Sequence, residues 1–171
     1  MRTLSIQVEE LIAHNLSIIA MYAFSREPLQ RMLQESLEGE WEGVNLTVFS
    51  VAKPIAERAF LELAMLFRYL DDEYDQALTE YLNHPGFNFG RLINADETEV
   101  ALKPRDVANK IIHAASFTVN SSNGRPTLIC HGRSTNVGDG ERKTPRKGED
   151  WRCAEIDVAT LIIALGGMAP R

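Results

Sequence analysis

Apolar residues recur at intervals of three and four through most of the first 115 positions, and at intervals of two after Ser116. The chain therefore predicts helices first and strands afterwards. From Leu4 to Phe24 the positions Leu4, Val8, Leu11, Ile12, Ile18, Ile19 and Tyr22 keep helical spacing, with Glu9, Glu10 and Ser17 elsewhere on the wheel. Ser25 is placed to cap a second helix, whose first turn tolerates Pro28 and whose stripe of Leu29, Met32, Leu33 and Leu37 ends at Gly39. Residues 40–50 read as a connection. The third helix carries the clearest pattern: Pro54 suits its first turn, and Ile55, Ala59, Leu63, Leu66, Phe67, Leu70, Tyr74, Leu78 and Tyr81 keep a 3.6-residue period until Asn83-His84-Pro85-Gly86 stops it. About 28 residues at a rise of 1.5 Å make a rod of about 40 Å, which needs at least two partner helices to cover its stripe.

Residues 84–103 look irregular, with Phe87, Phe89 and Leu92 tucked onto the helices. A fourth helix is predicted from Pro104 to about Ala115. Ser116 to Ser122 then alternates as a strand, Asn123-Gly124 is a type I′ turn signal, and Pro126 to His131 returns as a second strand. Arg133 to Asp150 has no apolar period and reads as a long loop. Trp151 to Ile156 is a third short strand, and Asp157 caps a last helix, Val158 to Leu165, ended by Gly166-Gly167. The expected fold is α+β in a single domain spanning 1–171: about four helices with one long central helix, an antiparallel sheet of about three strands, and a short C-terminal helix.

Composition narrows the class. At 171 residues, 44% hydrophobic and 25% charged, the chain fits neither a disordered nor a fibrous protein. Two cysteines are too few for a disulfide scaffold, and with four histidines they share no metal-finger spacing, so no metal or cofactor is expected. No run approaches the ~20 apolar residues of a membrane helix, and the N-terminal stretch lacks the basic start of a signal peptide. A cytoplasmic protein is the expectation. Charge is sorted along the chain: residues 1–100 hold 7 Lys and Arg against 17 Asp and Glu, whereas residues 101–171 hold 11 against 7. The basic C-terminal part is expected to neutralise the acidic helices beside it.

Three constellations bear on chemistry. On a helix starting at Pro104, Arg105, Asn109 and His113 follow one another at four-residue intervals, giving one face a cation, an amide and an imidazole. Such a set can bind phosphate and move a proton. The run Asn109-Lys110-Ile111-Ile112-His113 resembles the motif helix of HEPN-type helical proteins, the higher eukaryote and prokaryote nucleotide-binding family. Many of that family are metal-independent ribonucleases working as dimers, with a motif of Arg, four to six residues, then His, and commonly a polar residue directly after the Arg. His113 matches the His and Asn109 the polar residue. The Arg does not carry over: Ala108 occupies its place, and Arg105 leaves seven intervening residues. The resemblance thus implies a HEPN-like, non-catalytic interaction module with a protein partner or RNA, and the length and apolar richness of the third helix suggest a second copy docked through the helices. The alternative is a ribonuclease using His113 with Arg105 or Lys110 as substitute cation.

The second constellation is Asp71-Asp72-Glu73-Tyr74-Asp75, for which Arg68, three and four positions earlier, predicts ordinary ion pairing on a solvated helix face. The third is the basic loop Arg142, Lys143, Arg146 and Lys147, a candidate for non-catalytic RNA binding, flanked by Asp139, Glu141, Glu149 and Asp150 and holding no aromatic residue to stack a base.

Overall fold

The computed structural model describes residues 2–36, 41–83, 86–121, 124–132 and 151–167. The fold is α+β: long helices at the N-terminus, a five-stranded antiparallel sheet, and a C-terminal helix, sharing one hydrophobic core.

Helix α1 (Arg2–Ser36) is continuous through the boundary predicted at Ser25, and Pro28 lies inside it. An interior proline costs about 3 kcal/mol through its lost N–H and ring clash. Burial outweighs that cost, since Ile12, Leu16, Ile19 and Ala23 enter the core before the proline and Leu33 is buried beyond it. Residues expected to connect helices are themselves helical: α2 (Trp41–Val44) runs through a π-turn at Asn45–Phe49 into α3 (Ser50–Glu73). Phe49 is buried there, edge-on to Tyr22 of α1.

Helix α3 buries Ala56, Ala59, Phe60, Leu63, Ala64 and Phe67 against α1 and the sheet side of the core. It stops at Glu73, two turns short of the predicted end. The chain reverses locally through Asp75 and Gln76, at φ 50° and 65°, before α4 (Ala77–Leu82) begins. Two non-glycine residues in the left-handed region cost on the order of 1–2 kcal/mol each. The Asp71 carboxylate offsets that strain by capping α4, accepting from the Thr79 N–H at 2.8 Å and the Thr79 hydroxyl at 2.9 Å.

The sheet has the order β2-β1-β5-β4-β3, with every neighbouring pair antiparallel. The predicted hairpin forms as β3 (Ser116–Asn120) and β4 (Thr127–His131), and β5 (Trp151–Asp157) is the predicted third strand. Two more strands, β1 (Gly90–Asn94) and β2 (Glu99–Ala101), occupy the stretch expected to be irregular. Leu128, Cys130, Ala154 and Ile156 point inward and are fully buried. On the outer face Arg91 bridges Glu99 at 3.0 Å and Glu155 at 2.7 Å, tying β2, β1 and β5 together. Helix α5 (Pro104–His113) packs on α3, and α6 (Val158–Gly166) on α1. Asp157 caps α6 as predicted, accepting from the Thr160 N–H at 2.7 Å. No described helix is long and apolar enough to cross a membrane.

Candidate functional site

Helix α5 begins where the sequence places it, with Pro104 in its first turn, and buries Val107, Ala108 and Ile111. Its polar side faces α3. Arg105 donates to the Asp71 carboxylate at 2.9 Å and to Asp72 at 2.8 Å, and one turn later the Asn109 side-chain oxygen accepts from Arg68. Arg68 also lies 3.7 Å from Asp72. The result is a seam of two guanidinium groups, two carboxylates and an amide between antiparallel helices, balanced in charge.

Asp71 corrects the expectation of a solvated acidic face. Its side chain is 0% exposed, and its carboxylate takes both Thr79 donors as well as Arg105. An ionised carboxylate removed from water needs such partners, and here it has three bonds. Arg105 is correspondingly held in its charged form, its pKa raised chiefly by the hydrogen bond to Asp72 and further by Asp71. Arg68 contributes a buried Nε without a hydrogen-bond partner. Sequence reasoning paired Arg68 with its own helix; the bond to Asn109 joins positions 41 residues apart and has no local signature.

His113 does not join the seam. Successive steps of four residues advance a helix by 400°, so two steps rotate His113 about 80° away from Arg105. It is exposed in the last turn of α5, and its side chain makes no hydrogen bond among the described residues. Arg105, Asn109 and His113 were expected on one face; the structure brings Arg105 and Asn109 to α3 and leaves His113 apart. Lys110, the other substitute cation, lies 4.7 Å from the centre of the Trp151 ring. Partial burial lowers its pKa, opposed by Asp106.

The candidate basic residues Arg142, Lys143, Arg146 and Lys147 lie outside the described residues. Among the described residues no group of three or more His, Cys, Asp or Glu side chains converges as a metal site. Cys130 is buried and Cys153 half-buried, neither in a disulfide. They sit one register apart on neighbouring strands, Cys130 opposite Ala154 and His131 opposite Cys153.

A further cleft lies elsewhere, between α1 and α3. It is an open groove of about 460 Å³, lined by His14, Asn15 and Ile18 on one side and Ile55, Arg58 and Glu62 on the other. Arg58 donates to Glu62 at 2.6 Å across one turn of α3. That bond is the main cause of the lowered Glu62 pKa, with Asn15 and His14 adding to it. No sequence signal marked this cleft, because its polar residues sit on separate helices. Set against models of known protein families, curated proteins and solved structures, the chain matches none of them.

Proposed function

We propose that the chain is a cytoplasmic, non-catalytic binding module of HEPN-like helical type. One observation carries this reading: the two guanidinium groups beside the candidate helix are engaged internally. Arg105 is the counter-ion of a fully buried Asp71, and Arg68 is spread over Asn109 and Asp72. A guanidinium withdrawn from a buried carboxylate leaves an uncompensated charge, which costs about 3–5 kcal/mol, so Arg105 is held as structure rather than offered to substrate. His113 has no side-chain hydrogen bond among the described residues and lies about 80° round the helix from Arg105, whereas general acid–base work on a phosphodiester needs both position and a charged neighbour. The two cysteines without a disulfide fit a reducing compartment.

The test is incubation of the purified chain with single-stranded RNA in the presence of a metal chelator, from about pH 5 to 9. The RNA is expected to remain intact. Cleavage that disappears in the His113→Ala variant would establish the ribonuclease alternative instead.

A further inference from the structure

Helix α3 carries two apolar stripes. One enters the core; the other, Val51, Ile55, Met65 and Tyr69, lies on the opposite side at 60%, 51%, 57% and 60% exposure. Together with Arg58 and Glu62 these positions fall within about 80° of arc at 100° per residue, spaced at alternating steps of three and four as in a helix-packing seam. On α1 the positions Leu11, His14, Ile18 and Met21 form a matching outward row, with Leu11 and Met21 exposed. The two rows flank the 460 Å³ cleft and together make one outward layer.

The layer is self-complementary. Numbered along α3, Val51 and Tyr69, Ile55 and Met65, and Arg58 and Glu62 are each symmetric about position 60. A two-fold axis through that position lays a second α3 antiparallel on the first, apolar on apolar, with each Arg58 facing the other copy's Glu62. Asn15, 1% exposed, lines the cleft beside Glu62 of the same chain.

We infer that the outward layer of α1 and α3 is the contact with a second copy of the chain, forming a two-fold antiparallel four-helix interface centred on reciprocal Arg58–Glu62 pairs. From Val51 to Tyr69 the seam runs about 27 Å, and two helices side by side are about 20 Å wide, so each copy contributes a footprint of roughly 500–600 Å². Doubled, that reaches the ~1,000 Å² at which specific dimers become stable. The inference names the partner for the binding-module reading and uses none of the α5 seam; RNA cleavage would overturn that reading and leave this one standing.

Light scattering of the full chain, from about 1 to 100 µM, measures the association. The wild type is expected to be a dimer. Arg58→Glu and Glu62→Arg each place like charges at both central contacts and are expected to weaken the dimer at least about a hundredfold. An equimolar mixture of the two variants restores opposite charges and is expected to form the heterodimer. Both sites are on the surface, so far-ultraviolet circular dichroism of the monomeric variants should match the wild type. Ile55→Glu provides a second, apolar test and is expected to yield monomers. A wild type monomeric at 100 µM, or a dimer that survives Arg58→Glu and Ile55→Glu, overturns the inference, as does a mixture that stays monomeric.

Discussion

The Arg105–Asp71 pair allows the structural reading of α5 to be measured. Replacing Arg105 with Met keeps most of the aliphatic stem and removes the charge. Asp71 would then stay buried with only the two Thr79 donors, at 2.8 and 2.9 Å. Removing one member of a buried pair costs about 3–5 kcal/mol. The Thr79 bonds and the 32% exposure of the Arg105 side chain, which lets water approach the site, bring the expected loss to about 2–3 kcal/mol. For a domain of this size that lowers the Tm by about 5–10 °C. Asp71→Asn removes the charge but keeps an oxygen for the α4 cap. In that background Arg105→Met should cost about 1 kcal/mol or less, giving a coupling energy of about 1.5–2 kcal/mol. Urea unfolding with an unchanged m-value measures all four corners of the cycle. An Arg105→Met loss below about 0.5 kcal/mol, or no coupling to Asp71, would refute the reasoning and return Arg105 to the candidates for ligand binding.

Two further outcomes follow from other parts of the fold. Burial, with a smaller contribution from Cys153, pushes the Cys130 thiol up to about 12. A thiol whose folded pKa is raised adds stability that is whole below the unfolded value near 8.5 and is lost as pH climbs toward the folded one, so Cys130→Ala should flatten the alkaline decline between about pH 9 and 12. Identical slopes for wild type and variant would reject that assignment. Gly90 lies at φ +116°, and a Cβ there would sit 1.9 Å from the Glu155 carbonyl oxygen of the neighbouring strand. Gly90→Ala must therefore part β1 from β5, with an expected loss of about 3 kcal/mol or more in thermal unfolding; a change below about 1 kcal/mol would mean that the strands can shift to admit it.

The legible parts of the fold are those encoded by neighbouring residues. Pro104 marks the start of α5, Asp157 caps α6, and the stretch from Pro126 to His131 reads as a strand, all of which the structure bears out. The parts that were not legible depend on residues far apart. β1 pairs with β5 some 60 positions away, and its outward Arg91 and the wholly exposed β2 blur any alternation. The end of α3 was hidden because Leu78 and Leu82 continue the helical period after the chain has turned; the turn is fixed by a side-chain cap from Asp71 to Thr79, eight residues on. At the candidate site the sequence named Arg105 and Asn109 but not the α3 groups that hold them, and it placed His113 on their face by treating four-residue steps as exact repeats.

Helix α3 inverts the usual reading of polarity at two places. Asp71, in the most acidic stretch of the chain, is fully buried, while Val51, Ile55, Met65 and Tyr69 lie in water. The first inversion is resolved within the fold, since Arg105 and Thr79 converge on the carboxylate. The second is not, because α1 and α5 meet α3 on its core side and leave the outward stripe uncovered among the described residues. The apolar richness of this helix was read from the sequence as a demand for at least two partners. A helix with apolar residues on opposite sides is stabilised by covering both, and among the described residues the fold covers one. The symmetric placement of Arg58 and Glu62 within the remaining stripe would be without consequence against an arbitrary partner. Against a copy of itself it sets the register, because a slip of one turn in either direction removes both ion pairs and brings Glu62 or Arg58 against its own kind.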